Sequence, residues 1–243
     1  MKKIIAIIPV ILASFALSAW ATHFVGDPNA GNAWDTTSAV SIDHHSGEAA
    51  SREAITSING VGMSGDLHQG GNPSTPLPNM FLARNDGAGG FGPGGGVAQN
   101  AGQTVGSHYI TYGFDQVYDL ANVWIWNWNE SAFPQFGWRD VEIQVSTTNG
   151  TNPADWTTVF AGEIAQGTGI DPDVASSIIP VGGVSAQYVA VINTGTGNRE
   201  NWSDGTFVND AGLAEVRFEI VPEPATLALL GLGGMIMFLR RRR

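Results

Sequence analysis

Alternating apolar and polar positions dominate the middle of the chain. Runs rich in β-branched and aromatic residues, bounded by Gly, Asn, Asp or Pro, repeat with a period of two, which is typical of half-buried β-strands. This pattern predicts six strands, over 108–114, 117–126, 138–147, 156–161, 186–194 and 212–221. One short helix is predicted over 48–58. Because no βαβ alternation is present, the sequence predicts an all-β sandwich.

The segment 72–106 interrupts this pattern. It contains four prolines and the glycine-rich run 87–92, which formally satisfies the spacing G-x-G-x-x-G. A dinucleotide site needs that spacing between a strand and a helix, and neither is predicted here. We therefore interpret the segment as an irregular Gly/Pro-rich insertion.

The first 21 residues have the three parts of a secretory signal. Two lysines are followed by an uncharged run over 4–17 and by Ala19-Trp20-Ala21, which fits an A-x-A cleavage site. The run is shorter than the ~20 residues that a membrane span needs. Residues 1–21 are therefore predicted to be a signal peptide, used by the Sec translocon and cleaved after Ala21, with a retained anchor as the alternative.

The other end of the chain also has three parts in order. Pro222, Glu223 and Pro224 precede the uncharged stretch 225–239, and four arginines at 240–243 follow it. As a helix the stretch is about 22 Å long, short for a hydrocarbon core of about 30 Å, so it spans a membrane only thinly. The arginines would stay on the cytoplasmic side. Both ends thus leave the middle of the chain outside the cell.

These C-terminal features resemble the PEP-CTERM sorting tail of Gram-negative bacteria, over residues 221–243. The resemblance implies recognition by an exosortase, a membrane protease-transpeptidase that cleaves near the Pro-Glu-Pro motif. It further implies delivery to the envelope or matrix of an organism that makes exopolysaccharide. A permanent short membrane anchor is the alternative.

Four segments of the middle of the chain carry a second resemblance. They are 120–129, 137–146, 186–191 and 212–218, and Ile58-Asn59-Gly60-Val61-Gly62 precedes them. In this order they resemble the discoidin-like jelly rolls related to coagulation-factor C-type and galactose-binding domains. The resemblance covers about 38–220 and implies a binding fold. The expected organisation is a signal peptide (1–21), one discoidin-like β-sandwich (22–220) and a sorting tail (221–243).

Charge and cysteine content exclude several function classes. Between Thr22 and Val221 the chain has five arginines, no lysine and 21 acidic residues, a net charge of −16. So acidic a domain repels nucleic-acid phosphates and anionic lipid. The absence of cysteine removes disulfides, thiolate metal sites and cysteine nucleophiles.

No catalytic motif is recognisable. Neither G-x-S-x-G nor H-E-x-x-H occurs, and the cluster 43–45 lacks partners at ligand spacing. We predict that the protein is not an enzyme. With 21 acidic residues, a close carboxylate pair stays open, which leaves a polysaccharide-acting enzyme as the weakest alternative.

Aromatic and amide side chains in two loops are the candidate ligand contacts. In strand geometry Trp124, Trp126 and Trp128 share one face, either lining an outer surface or filling the core. The loops 127–135 and 194–210 follow predicted strands, and sandwich folds carry function on loops. The candidates are Trp128 and Trp202 for stacking on sugar rings, with Asn129, Arg199 and Asn201 as hydrogen-bonding partners.

Calcium is the one ion that the composition favours, since it takes oxygen ligands. In related domains an early Asp-Gly turn and a late Glu bind a structural calcium. The resemblance places these at Asn59 and Glu215, with carbonyls from Gly60 and Gly62; Asn in place of Asp weakens such a site. Glu215 pairing with Arg217 or another arginine is the alternative.

Together these features predict an exported, non-catalytic protein of the envelope or extracellular matrix that binds exopolysaccharide. Its partners would be the exosortase and Sec translocon during export and polysaccharide or envelope components afterwards, without nucleic acid. The C-terminal stretch would tether it to the membrane until processing. A structural or adhesive surface protein without a sugar site is the alternative.

Overall fold

Nine antiparallel strands form the described part of the chain. The computed structural model describes residues 24–25, 40–45, 54–58, 63–64, 67–68, 80–84, 108–148, 153–170, 172–206 and 210–221. The strands are β1 (Val40–His45), β2 (Met63–Ser64), β3 (Leu67–His68), β4 (Phe81–Arg84), β5 (His108–Asn127), β6 (Asp140–Ser146), β7 (Thr157–Glu163), β8 (Ser177–Asn193) and β9 (Asp210–Ile220). Short 3₁₀ helices occupy Ala54–Ser57, Pro134–Phe136, Pro153–Asp155 and Gly197–Arg199.

Seven of these strands belong to one hydrogen-bonded sheet, in the order β4-β9-β5-β8-β6-β7 with β1 beside β5. The first half of β5 pairs with β1 and the second half with β9, while β8 follows β5 along most of its length. The two short strands β2 and β3 pair with each other. The long strands β5 and β8 are therefore at the centre of the sheet, and the two halves of β5 have different neighbours, β1 and β9, in addition to β8.

β5 doubles back, which turns this sheet into a sandwich. Phe218 on β9 lies opposite Val123 on β5, yet its ring contacts that of Tyr112 with centroids 5.1 Å apart. In a straight strand, eleven residue steps would separate Tyr112 from Val123 by about 36 Å. The ring contact is therefore made only if the two halves of β5 face each other across a core.

Two bulges allow this bend. Between Gly113 and Tyr118, four residues of β5 stand against one residue of β8, and three of them are exposed. Farther along, Gly182 and Gly183 of β8 form part of a bulge and have φ angles of 76° and 77°. Glycine adopts such angles without steric cost. Bulges bend a strand and increase its twist, as closing the sandwich requires.

The core lies between the two layers and contains buried residues of six strands, β1, β4, β5, β6, β8 and β9. Its centre is an aromatic cluster in which Phe218 contacts Tyr112 and Phe114 edge to face. Val123 and Ile125 are fully buried in the same core. In the second half of β5, the aliphatic positions of the predicted alternation thus face this core. The predicted all-β sandwich is confirmed.

Several predicted elements differ from the observed ones. The segments 108–114 and 117–126 form one continuous strand, because the exposed residues between them are a bulge and not a turn. The segment 186–194 is the second half of β8, whose first half contains Pro180 and two glycines and so lacks a strand signal. The helix predicted over 48–58 is a 3₁₀ turn over Ala54–Ser57 within the described residues.

One part of the predicted irregular insertion is regular. Phe81–Arg84 forms strand β4, paired with the start of β9. Phe81 is fully buried and contacts Trp138 in the core. A four-residue strand next to a Pro-rich stretch gives little periodic signal in the sequence. This segment is recognisable as a strand only from its pairing with β9. Apart from Met80, the rest of the insertion lies outside the described residues, as do the signal peptide and the stretch 225–239.

Replacing Phe218 by Ala tests the bend. The ring is buried between the two halves of β5, so we expect the free energy of unfolding to fall by about 3–5 kcal/mol. Urea denaturation of the exported chain, followed by tryptophan fluorescence, measures this. Val117→Ala is the control: Val117 is half exposed in the β5 bulge, so that change should stay within about 0.5 kcal/mol. Equal effects of the two changes would contradict the packing described here.

Candidate functional site

Two loops meet at one end of the sandwich. The loop 128–139 connects β5 to β6, and the loop 194–209 connects β8 to β9. The amide N–H of Trp202 donates to the carbonyl of Gln135 at 2.9 Å, and its indole Nε1 donates to the carbonyl of Trp138 at 3.2 Å. The two loops that the sequence selected therefore form one surface.

Trp128 is part of the core and offers no face to a ligand. Its side chain is fully buried and packs with Trp126, Ala214 and Phe136. Gly212 lies so close that a Cβ there would be 2.5 Å from the indole ring. A buried indole cannot stack on a sugar. The buried position of Trp128 therefore does not fit the predicted role of this residue in ligand stacking. Sequence alternation alone did not decide between core and surface.

Asn129 and Asn201 hold the loops rather than facing solvent. Asn129 is buried; its Nδ2 donates to the carbonyl of Ile170 at 3.1 Å, and its Oδ1 accepts from the amide of Gly169. Asn201 is fully buried; its Nδ2 donates to the carbonyl of Asp210, and its Oδ1 accepts from Ser203. Both were predicted as ligand contacts, and both are buried side chains that hydrogen-bond to groups of the neighbouring loops instead.

Trp202 remains near the surface and is half-buried. The guanidinium of Arg139 lies over its ring, with the Arg139 Cζ 4.5 Å from the ring centroid. This cation–π contact occupies one face of the indole. A ligand stacking on Trp202 must therefore use the other face or displace Arg139.

Arg199 and Arg139 join three carboxylates into one network. Arg199 donates to both carboxylate oxygens of Asp140, through Nε at 2.5 Å and through Nη2, and donates to Glu163 at 3.1 Å. Arg139 donates to the same oxygen of Glu163 at 3.1 Å and to Asp204 at 3.2 Å. Hydrogen bonds to Asp140 raise the pKa of Arg199 above its ordinary value. We call these five residues and Trp202 the loop-end network.

The loop-end network is open to solvent. It therefore contributes little to the stability of the fold, and its main effect is to position side chains. Exposed ion pairs of this kind contribute about 0–1 kcal/mol each. What they provide is a fixed set of donors and acceptors around an aromatic ring. Asp204 is held there in the left-handed region, with a φ of 51°, by the turn that Asn201 anchors. Among the described non-glycine residues, only this one has a positive φ.

Four members of the network were not among the predicted contacts, and of these only Asp204 lies in one of the two candidate loops. Arg139 directly precedes β6, Asp140 is the first residue of β6, and Glu163 is the last residue of β7. Arg139 and Asp140 are neighbours, but Glu163 and Asp204 lie in distant segments, and the four share no motif. One available signal was the scarcity of arginine: only five occur between Thr22 and Val221, and two of them are here.

Glu215, predicted as a calcium ligand, is paired with Arg217. The two side chains are 0% and 1% exposed, with Arg217 Nη2 3.1 Å from Glu215 Oε1, and the guanidinium lies 5.9 Å from the ring centroid of Trp126. The sequence had left this pairing open as the alternative to a calcium site. Asn59, Gly60 and Gly62 lie outside the described residues, so the calcium site stays a prediction. Within the residues described, no three His, Asp or Glu side chains converge as a metal site would require.

The C-terminal residues match a known motif. Residues 221–243 match the PEP-CTERM protein-sorting motif. The chain carries this motif. It implies an exported protein that is processed at its C-terminus. The helices that the described residues form are too short to cross a membrane, and 225–239 lies outside those residues. No curated protein matches the chain.

Several solved structures are similar to the chain. Module CBM32-3 of a family 31 glycoside hydrolase from Clostridium perfringens is 16% identical, with 76% of this chain and 93% of that one covered at a TM-score of 0.47. The CBM32-1 and CBM32-2 domains of ZmpB from the same organism are 15% identical, with 76% and 36% covered at 0.48. The family 32 CBM of NanJ, also from C. perfringens and in complex with galactose, is 12% identical, with 75% and 94% covered at 0.42.

Replacing Glu215 by Gln tests the buried pair. Removing the carboxylate leaves the Arg217 charge buried without its partner, which costs about 3–5 kcal/mol of unfolding free energy. Replacing both residues by Met should cost less than the single change, because no charge is then left in the core. Chemical denaturation measures all three proteins, with the exposed Asp119→Asn as the control. A single-variant loss below about 1 kcal/mol would contradict the pairing.

Proposed function

We propose that the protein is an exported, non-catalytic carbohydrate-binding protein whose ligand site is the loop-end network. The observation that carries this proposal is the combination of Trp202 with two arginines and three carboxylates on one exposed surface. A sugar ring has an apolar C–H face that suits an aromatic ring, and hydroxyls that need directed donors and acceptors. The resemblance to discoidin-like binding domains supports the same function.

The rigidity of the loops also supports the proposal. Asn201 fixes the segment that presents Trp202 and Asp204, and Asn129 ties the loop 128–139 to Gly169 and Ile170. A site that is already in place before its ligand arrives loses little entropy on binding. The network needs no large rearrangement to receive a glycan.

The sorting motif supports the location of this function. A signal peptide over 1–21 would deliver the chain to the Sec translocon, and an exosortase would process it near Pro222, Glu223 and Pro224. Until then the stretch 225–239 would tether the protein thinly to the membrane. Exopolysaccharide of the envelope or matrix is then the glycan that the exported domain meets.

A structural or adhesive role is the second candidate, and one observation favours it. Ile170 and Val174 are 68% and 60% exposed, and both lie in the loop between β7 and β8. The carbonyl of Ile170 accepts a hydrogen bond from Asn129, so this apolar surface adjoins the loop 128–139. Such a surface suits contact with another protein.

Removing the network side chains tests the sugar site. Trp202→Ala and Arg199→Ala should each lower glycan affinity at least about tenfold, because both groups lie where the ligand would bind. Titration calorimetry of the exported chain with galactan, glucan, mannan and the producing cell's own exopolysaccharide measures this. Val117→Ala, in the bulge at the opposite end of the sandwich, is the control. If no glycan binds, or if all variants bind equally, this function is wrong. Assembly of the protein on the cell surface in that case would favour the adhesive role.

Mass analysis tests the processing separately. We expect the exported protein to begin at Thr22 and to end near Pro224, because the signal peptide and the tail after the motif are removed. Changing Glu223 to Ala should leave the tail attached, whereas Val221→Ala keeps the motif and should be processed. Detection of the arginines 240–243 on mature wild-type protein would contradict sorting by an exosortase.

A further inference from the structure

An open groove lies beside the loop-end network, between β7 and the start of β8. It has a volume of about 420 Å³ and is lined by Phe160, Glu163, Ile164 and residues 177–180. This volume is within the range of ligand pockets in proteins. We call it the β7–β8 groove.

The groove exists because the sandwich is open at this edge. Over the described residues, β6 pairs with β8 only from Tyr188 to Asn193, so the first residues of β8 have no β6 neighbour. Ile164 and Ile179 form the floor and belong to the core, while Ile178 is 49% exposed at the rim. Phe160 is half-buried and packs against the core. The groove is therefore apolar at its base and accessible from solvent.

Glu163 connects the groove to the loop-end network. It lines the groove, and its Oε2 accepts hydrogen bonds from both Arg139 and Arg199. A linear ligand that contacts the two arginines can therefore extend past the Glu163 side chain into the groove. Glu163 is also 44% exposed, so it can hydrogen-bond on both sides.

The groove is less suited to a peptide strand. Strand addition needs backbone N–H groups along an open edge, and Pro180 has none. Proline is tolerated in a paired strand where its nitrogen faces away from the partner strand. Pro180 pairs with Asn122 of β5, so its nitrogen faces the open edge, towards the groove. The ring also adds an apolar surface to Phe160 and Ile178.

We infer that the β7–β8 groove is a second sugar subsite, which holds the next unit of a glycan bound at the loop-end network. Aromatic and aliphatic side chains face the C–H surface of that unit, and Glu163 accepts from its hydroxyls. The ligand is then an oligomer or polymer rather than a single terminal sugar. This inference rests on the proposed function and adds the length of glycan that the site recognises.

The test measures affinity against glycan length. Galacto-, gluco- and manno-oligosaccharides of one to four units are titrated into the exported chain by calorimetry. We expect affinity to rise about tenfold from one unit to two or three, which corresponds to about 1.4 kcal/mol. In Ile178→Ala and in the more conservative Phe160→Leu, this rise should fall below about twofold while affinity for the single unit stays unchanged.

Two comparisons separate the outcomes. Trp202→Ala should weaken all lengths by the same factor, and Val117→Ala should change none. If single sugars bind but affinity does not depend on length, or if Ile178→Ala keeps the full rise, the groove is not a subsite and the proposed function stands. If no sugar of any length binds, the proposed function is itself wrong and the inference fails with it. Thermal unfolding of each variant confirms that it is folded.

Discussion

The doubling back of β5 is the constraint on which the rest of this structure depends. Tyr112 and Phe114 in its first half contact Phe218, which lies beside Val123 in its second half. Burying these aromatic rings together removes a large apolar area from water, which stabilises the bent strand against a straight one. Because one strand serves both layers, its beginning and its end lie at the same end of the sandwich.

That end is organised by buried amides. Asn127 donates to the carbonyls of Trp138 and Ala165, at 2.7 and 2.8 Å. Asn129 and Asn201 hold neighbouring loops in the same way, and at the start of β5 His108 lies 2.7 Å from Glu200. Buried backbone groups without partners would cost about 1–3 kcal/mol each, so these side chains decide where the loops run. The arginine and carboxylate network is a consequence of that placement.

The first and last described residues lie away from this surface, towards the opposite end of the sandwich. β9 begins at Asp210, beside Asn201, and runs eleven residues to Ile220. Val25 donates to the carbonyl of Phe218, and Val221 donates to that of Asp119. The sorting motif therefore follows directly from the strand end farthest from the loop-end network. Under the proposed function, processing of the tail and binding at the loops would use separate parts of the domain.

The sequence by itself determined the all-β class and the sorting motif, and it predicted the signal peptide and the candidate loops. Period-two alternation in segments such as 138–147 and 212–221 is a local property, and so is the order of Pro222-Glu223-Pro224, the apolar stretch and the arginines. A sorting motif made of neighbouring residues is visible in the sequence without the fold, so it was recognised over its full length, 221–243.

Only the tertiary structure decided which side chains are available. Trp128 and Trp202 look alike in the sequence, but the sheet buries the first against Gly212 and leaves the second under Arg139. Asp140 and Glu163 contact Arg199 because β6 pairs with β7 and because Asp140, the first residue of β6, accepts a hydrogen bond from Thr194 at the start of the 194–209 loop. Burial and pairing across the sheet depend on the whole fold, so no local pattern contains them.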